Sequence, residues 1–276
     1  MMSDDAAIDW AGVVHPRASA PRIACLVPSI TELLFALDLA GHIVARTGFC
    51  VHPRDAVRAV PRIGGTKDPD LDRLESLAPT HLVVNVDENR RETVDAARAF
   101  VPHVIVTHPQ KLADNVRLYR LMGGIFDRES EAAKLCAAFA SSHEVLAQTA
   151  RTLPRERVLY VIWKRPWMTV SPRTYIADTL ATAGWDVVAP RESSARYPVV
   201  AEDDTAWLHA DRILLSSEPY AFVARDAAAV AQVRAKPVHR IDGEMTSWYG
   251  PRAIAGMEYL ARLRRSLATA EPARLP

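Results

Sequence analysis

Short apolar runs alternate along this chain with segments of helical periodicity, which is the order expected of an α/β protein with parallel sheets. The runs that predict buried strands are Arg22–Val27, Ile43–Arg46, Leu82–Asn85, His103–Thr107, Val158–Ile162, Val187–Val188, Ile213–Ser216 and Val238–Ile241. Helical segments lie between them, for example over 112–125, 227–234 and 252–267. We therefore predict strands covered by crossover helices.

One helix–strand unit occurs twice. Residues 72–85 start with an acidic residue, form an amphipathic helix and end in an apolar strand, and residues 203–216 repeat this arrangement at a constant offset of 131 positions without a gap. A polar turn follows each strand, at 87–89 and at 218–220. Because ligands of open α/β sheets bind beyond the carboxyl ends of the strands, we expect both turns to face a cleft between two lobes of similar build.

A long segment separates the two copies. Residues 129–153 contain neither Gly nor Pro, and as one straight helix they would span about 37 Å. With 276 residues the chain is long enough for two cores. The predicted division is an N-terminal extension without structure (1–21), a first α/β lobe (22–128), a bridging helix (129–153), a second α/β lobe (154–268) and a frayed tail (269–276).

The composition excludes several classes of function. There are 34 basic and 33 acidic residues, so the net charge of +1 gives no electrostatic basis for binding nucleic acid. Apolar stretches stay well short of the roughly 20 residues that would insert into a bilayer. The phosphate-binding, dinucleotide-binding and nucleophile-elbow motifs are absent, so we expect a protein that is not an enzyme.

The first ten residues contain three aspartates and no basic residue, unlike a secretory signal. The three cysteines are widely spaced and do not suggest a disulfide framework. We therefore expect a cytoplasmic protein with reduced thiols. A misassigned start codon would instead give a periplasmic protein whose mature end lies near Ala20.

Three short motifs, in order, resemble one family. They are PSITELLFAL from Pro28, RIGGT from Arg62 and DLD from Asp70, and they resemble the cobalamin and iron-siderophore binding proteins of ABC importers, most of all the cobalamin-binding branch. The similarity runs from about Arg22 to Leu267. It implies the class III periplasmic-binding-protein fold, in which one long helix joins two Rossmann-like lobes. It also implies non-catalytic binding of a corrinoid in the cleft, with no catalytic cofactor.

Aromatic side chains fall mainly in the loops that follow predicted strands, and flat rings suit a planar ligand such as a corrin. The expected ligand contacts, with polar residues of the same loops, are Pro28, Ser29, Phe49, Cys50, Gly65, Thr66, Glu88, Asn89, Trp163, Met168, Tyr220, Trp248 and Tyr249. The alternative for any one ring is that it fills space in the core. Ser29 and Glu32 additionally have the spacing of a capping box.

Other ligands and other chemistry remain open. An iron-siderophore or heme would be anionic, and Arg46, Arg90, Arg165 and Arg252 would be available to bind it. Cys50 and His52 are two positions apart, but a metal site needs three or four donors, so no metal is expected. A tetrapyrrole metal chelatase is the alternative from another class, and it would need a His beside a carboxylate.

Asp72 and Asp203 stand where the resemblance implies an acidic residue in each lobe that docks onto arginines of an ABC permease. Both are the shorter Asp where the family leads us to expect Glu, so their reach toward Arg differs. The alternative is that each charge stabilises the start of its helix. For a cytoplasmic protein we favour that alternative.

Overall fold

The computed structural model describes residues 7–191 and 193–270, apart from the side chain of Ala270. The parts of the predicted extension and tail over 1–6 and 271–276 lie outside these described residues. The chain divides into two compact units. Unit 1 comprises residues up to Pro109, Ala113–Phe139 and Tyr249–Pro251, and unit 2 comprises Gln110–Leu112, Ala140–Trp248 and residues from Arg252 onward.

Unit 1 contains a four-stranded parallel sheet. Its strands are β1 (Ile23–Cys25), β2 (Ile43–Arg46), β3 (His81–Asn85) and β4 (His103–Thr107), in the spatial order β2-β1-β3-β4. Its helices are α1 (Pro28–Ala36), α2 (Leu71–Ser76), α3 (Arg91–Ala97) and α4 (Asp114–Ile125), with 3₁₀ turns at Ala40–His42 and Ala56–Ala59. The strands are largely buried, as expected of a parallel sheet with helices on its faces.

The start of α1 differs from the predicted capping box. Val27 is the N-cap, Pro28 occupies the first turn, and the Thr31 hydroxyl donates to the Val27 carbonyl at 3.0 Å. Ser29 lies inside the helix, and its buried hydroxyl oxygen has no hydrogen-bond partner. The prediction was wrong because Pro28, whose φ is already helical and whose missing N–H costs nothing there, starts the helix one residue earlier.

The long helix α5 runs without interruption from Glu129 to Arg151. It begins where the sequence predicts and ends two residues earlier. The division between the units falls within it, after Phe139.

Unit 2 contains a five-stranded sheet. Its strands are β5 (Glu156–Trp163), β6 (Met168–Thr169), β7 (Trp185–Val187), β8 (Arg212–Ser216) and β9 (Val238–Ile241). The order is β6-β5-β8-β9, with β7 also paired to β5, and β6 is the antiparallel member. Its helices are α6 (Tyr175–Thr182), α7 (Ala206–His209), α8 (Ala224–Arg234), α9 (Glu244–Ser247) and α10 (Pro251–Ala270). The α/β class predicted from the sequence is thus confirmed.

The internal repeat is visible in both sheets. Strands β3 and β8 are separated by the same 131 positions as the sequence motif, and each is fully buried. The helices before them differ. In the second copy α7 does not begin at Asp203 but at Ala206, because the Asp204 carboxylate accepts a hydrogen bond from the Ala206 amide at 2.7 Å.

Residues 7–18 are ordered, in contrast to the predicted unstructured extension over 1–21. This N-terminal strap pairs with the outer edge of β4: the Trp10 amide donates to the Val106 carbonyl at 3.0 Å, and the Val106 amide donates to the Asp9 carboxylate at 2.9 Å. Farther along, the Ala18 amide donates to Ile125 at 2.8 Å. The strap therefore covers an edge strand that would otherwise expose unpaired backbone groups.

Replacing Asp9 with Ala should lower the free energy of unfolding by about 2–4 kcal/mol, because its buried carboxylate also binds His15 at 3.1 Å and accepts two amides within the strap. Burial opposes ionisation, but the His15 and Val106 bonds hold the pKa of Asp9 below its usual range. The contribution should therefore be present at neutral pH and be lost as the pH falls through that lowered pKa. Urea unfolding at several pH values checks this prediction. Asp9→Asn keeps one acceptor oxygen, so it should lower the free energy of unfolding less than Asp9→Ala does.

Candidate functional site

The candidate residues lie in two groups, one at the carboxyl edge of each sheet. In unit 1 the group comes after β2 and β3 in the chain and consists of Phe49, Gly65, Thr66, Glu88 and Asn89; we call it the Phe49 cluster. In unit 2 it consists of Trp163, Met168, Tyr220 and Trp248, around the ends of β5, β8 and β9; we call it the Trp163 cluster. Each is described within its own unit.

Phe49 lies on a loop that a buried arginine holds in place. The Arg46 guanidinium is almost fully buried and donates to the carbonyls of Val57, Thr47 and Cys50 at 2.8, 3.1 and 3.1 Å. These bonds fix the loop after β2, while the Phe49 ring remains 63% exposed. The fixed loop thus presents the Phe49 ring to solvent.

The glycine turn beside Phe49 requires glycine at its first position. Gly64 has a φ of 98°, and a Cβ there would lie 2.7 Å from the Asp68 carbonyl oxygen. Its own carbonyl accepts from the Gly48 amide at 2.7 Å, which ties the turn to the Phe49 loop. At Gly65 a Cβ would meet the Phe49 ring at 3.8 Å, so the two predicted residues are indeed neighbours.

Asn89 supports the Phe49 cluster from within. Its amide nitrogen donates to the Thr66 carbonyl at 2.8 Å and its oxygen accepts from the Asn85 amide at 2.8 Å. The turn after β3 is thereby fastened to the glycine turn. The polar atoms of Asn89 thus bind the backbone, and its predicted role as a ligand contact stays a prediction.

Cys50 is also a structural residue. Its side chain is fully buried, and its sulfur lies 3.1 Å from the Thr31 hydroxyl and 3.2 Å from the Thr47 hydroxyl. Burial raises the pKa of the Cys50 thiol, so the reactive thiolate is disfavoured. Pro28 and Ser29 are buried as well and do not present their side chains to solvent.

Trp163 ends β5 with its indole 38% exposed. Its ring contacts Tyr220 edge to face, with centroids 5.7 Å apart, and Tyr220 in turn lies against Phe222 at 4.7 Å. Met168 faces Trp163 across the β5–β6 pairing. The rings brace one another, and the half-exposed indole offers a flat surface whose orientation is set by its neighbours.

Trp167 shows the alternative outcome for an aromatic residue in the same loop. It stacks on Phe222 with an interplanar angle of 2°, contacts Trp207 at 5.7 Å and donates its indole N–H to Glu202 at 2.7 Å. This ring packs the outer core of unit 2. The sequence does not show which of the two rings is exposed and which is packed, since Trp163 and Trp167 both lie near the end of β5.

Trp248 is half-buried beside a carboxylate. Its indole N–H donates to Glu218 Oε1 at 3.0 Å, and the Arg252 guanidinium lies 5.3 Å from the ring centroid. The next residue, Tyr249, is only 7% exposed and groups with unit 1. Tyr249 thus presents little surface to solvent, and its predicted role as a ligand contact stays a prediction.

The carboxylate that binds Trp248 lies close to two other acidic side chains. Burial, and the neighbouring Glu244 and Asp242, raise the pKa of Glu218, while hydrogen bonds from Ser247 and Trp248 oppose this shift. Glu244 pairs with Arg252 at 3.2 Å. Our sequence predictions did not include Glu218 among the ligand contacts, although its place directly after a buried strand was the available signal.

A His–carboxylate pair lies at the carboxyl edge of unit 1. His108 follows β4, Asp87 follows β3, and His108 Nε2 is 3.5 Å from Asp87 Oδ2. In the described ranges 7–191 and 193–270 there is no group of three or more His, Cys, Asp or Glu side chains that would hold a metal ion. The same part of the chain has no helix with the length and hydropathy of a membrane span.

Comparison with known proteins decides the family. Residues 23–237 match the family described as periplasmic binding protein, a span that covers most of the chain. The chain belongs to this family. Its members bind substrates without transforming them, and this protein is accordingly a binding protein rather than an enzyme.

Individual relatives are distant in sequence. The uncharacterized ABC transporter substrate-binding lipoprotein YvrC of Bacillus subtilis is 24% identical over 87% of this chain and 78% of its own length. Among solved structures, the periplasmic vitamin B12 binding protein BtuF of Vibrio cholerae superposes with a TM-score of 0.76 at 17% identity, covering 91% of this chain and 99% of BtuF. The periplasmic heme-binding protein RhuT of Roseiflexus sp. RS-1 has the same score at 19% identity, covering 91% and 100%.

These similarities are strong in fold and weak in sequence. They confirm the predicted class III periplasmic-binding-protein fold with its parallel α/β sheets. The cobalamin-binding and heme-binding structures score alike, so choosing between their ligands requires the residues of this chain.

Proposed function

We propose that this chain is a substrate-binding protein of the ABC-importer type and that its ligand is a corrinoid. The fold and family support the first part, as does the name of the Bacillus relative. The second part is supported by BtuF among the similar structures and by one observation above all. That observation is the Trp163 cluster itself, in which the partly exposed Trp163 indole lies against Tyr220 and the Trp248 indole donates to the Glu218 carboxylate.

The charges around the aromatic rings favour a ligand without several negative groups. Glu218 accepts the Trp248 indole N–H and lies close to Asp242 and Glu244, and Arg252 pairs with Glu244. An anionic siderophore brought to this surface would meet like charges, which is unfavourable. A corrinoid presents a flat ring and neutral amides, which match aromatic faces and hydrogen-bond acceptors respectively.

The arginines that an anionic ligand would need are mostly engaged elsewhere. Arg46 is buried and bonded to backbone carbonyls, and Arg90 pairs with Asp68 at 2.8 Å. Arg165 is exposed in the loop after Trp163. The set of four arginines predicted for a siderophore therefore does not form a common cationic surface within either unit.

Heme is the second candidate, and the His108–Asp87 pair is the observation that favours it. A histidine oriented by a carboxylate is the usual form of a metal-binding imidazole. RhuT is named as a heme-binding protein, which adds support from the fold. In this account His108 would ligate the heme iron.

Titration with heme separates the two candidates. If the protein binds corrinoid, His108→Ala should leave the cobalamin titration unchanged and heme should bind weakly to both proteins. Tight heme binding by the parent, with a shift of the heme absorption band that His108→Ala abolishes, would contradict the corrinoid proposal and establish the heme alternative.

Asp72 and Asp203 are the proposed contacts for a permease. Both side chains are exposed. Near Asp72, it is Asp70 whose carboxylate caps α2. Next to Asp203, it is Glu202 that binds Trp167 and Arg234. Capping of α2 is thus performed by another residue, which leaves Asp72 available for an external arginine.

Changing Asp72 and Asp203 together to Ala should leave corrinoid affinity unchanged, because both are exposed surface charges. If the protein is cytosolic, the variant should show no uptake defect either. Fractionation of the native host and an uptake assay check this. Recovery in the periplasm together with reduced uptake would contradict the cytosolic placement and support docking.

A further inference from the structure

Glu218 is linked directly to the indole of Trp248. Its Oε1 atom accepts two hydrogen bonds, from Trp248 Nε1 at 3.0 Å and from the Ser247 hydroxyl at 2.7 Å. Both donors lie at the end of α9, in the loop that leads to α10. One carboxylate oxygen thus fixes two consecutive residues of this loop, including the ring at its tip.

The position of Glu218 is itself determined by buried groups. Its amide donates to the Ser216 hydroxyl at 3.3 Å, and that hydroxyl accepts from the buried Tyr160 hydroxyl at 3.0 Å. On the other side Gly243 leaves no spare room, since a Cβ there would overlap Glu218 Cγ and Ser216 Oγ. The carboxylate is therefore confined between the end of β8 and the start of α9.

The ionisation of Glu218 is also linked to the two loop residues that donate hydrogen bonds to it. A partly buried carboxylate beside Asp242 and Glu244 is unfavourable by desolvation and repulsion. The side-chain donors that offset this are Ser247 and Trp248. Trp248 is thus one of two donors that favour the ionised form of Glu218, and the same hydrogen bond holds the indole in its observed orientation.

We propose that Glu218 is a positioning residue that orients the Trp248 indole for contact with the ligand. This inference rests on the proposed function, in which Trp248 covers part of a ring-shaped ligand. It adds a requirement that the proposed function does not contain, namely that ring contact depends on an acceptor oxygen at position 218.

The chain offers a matched control. Trp167 also donates its indole N–H to a glutamate, Glu202, at 2.7 Å, but its ring is stacked on Phe222 and packed against Trp207. Packing fixes the orientation of Trp167 without help from the hydrogen bond. Glu202→Ala should therefore move the indole N–H resonance of Trp167 without altering ligand affinity.

The experiment compares Glu218→Ala, Glu218→Gln and Glu202→Ala by the six tryptophan indole resonances of the ligand-free protein and by titration with cyanocobalamin. Glu218→Ala should shift the Trp248 resonance and weaken binding roughly tenfold. Glu218→Gln keeps an acceptor oxygen and should restore most of the affinity. If Glu218→Ala does not fold, Gly243→Ala displaces the carboxylate instead and should give the same shift and weakening.

Trp248→Ala separates failure of this inference from failure of the proposed function. Weaker binding by Trp248→Ala but unchanged binding by Glu218→Ala would overturn the positioning role alone. Unchanged binding by a folded Trp248→Ala would show that this ring does not contact the ligand, and would overturn the proposed contact together with the inference.

Discussion

Replacing Glu156 with Ala should lower the free energy of unfolding by about 3–5 kcal/mol, the largest stability effect that we expect in this protein. Glu156 lies at the start of β5 and binds two buried arginines: Arg212 at 3.0 Å, and Arg264. Its second oxygen also accepts the Trp185 indole N–H at 2.8 Å. Without the carboxylate, two guanidinium groups in the core of unit 2 would keep their charges but lose their counter-ion.

The pH dependence of this effect has a definite sign. Burial opposes ionisation of Glu156, but the hydrogen bonds from Arg212 and Trp185 hold its pKa below the usual range. The unfolded chain binds the proton more readily than the folded one. The contribution should therefore be complete at neutral pH and be lost as the pH falls through the lowered pKa.

An exposed ion pair nearby serves as the control. Arg155 and Asp186 are bonded through side chains that are each about half exposed, so Asp186→Ala should cost at most about 1 kcal/mol. Guanidinium chloride unfolding of the two variants measures the difference. Equal stabilities for Glu156→Ala and Asp186→Ala would show that the buried network contributes no more than a surface pair.

The largest expected effect on binding comes from Trp163. Replacing it with Ala should weaken corrinoid binding by about 1–3 kcal/mol, because a flat apolar face would no longer cover the ring. The fold should survive, since the indole is partly exposed and ends its strand. Titration with cyanocobalamin gives the affinity, and a melting curve confirms that the variant is folded.

Trp10→Ala is the matching control for that measurement. Trp10 is also partly exposed, but it lies in the N-terminal strap on the outer edge of β4, beneath the Arg117 guanidinium and outside both clusters. Its removal should affect stability and leave affinity unchanged. If Trp163→Ala also binds like the parent, Trp163 only packs against Tyr220 and the Trp163 cluster is not the ligand surface.

Much of the fold was predictable because it follows from local pattern. The 131-residue repeat located β3 and β8, and β2, β4 and β9 have the predicted bounds. The fully buried strands β3 and β8 contain continuous apolar runs, which mark them in the sequence. The short antiparallel β6 was missed because two residues carry no periodicity.

The site was less predictable because burial depends on tertiary contacts. Phe49 and Cys50 are adjacent in sequence, yet one is mostly exposed and the other fully buried. Trp248 and Tyr249 are likewise adjacent, yet Trp248 is half-buried and Tyr249 is buried. The strap over residues 7–18 was missed because its main contact, Asp9 with the Val106 amide, joins positions far apart in the chain.

A spectral titration of the purified protein with cyanocobalamin, heme and a ferric siderophore in parallel tests the central claim most directly. We expect saturable binding of cyanocobalamin, with a dissociation constant at least about tenfold below those for the other two ligands. Tighter binding of heme or of the siderophore than of cyanocobalamin would contradict the assignment of this protein as a corrinoid-binding protein.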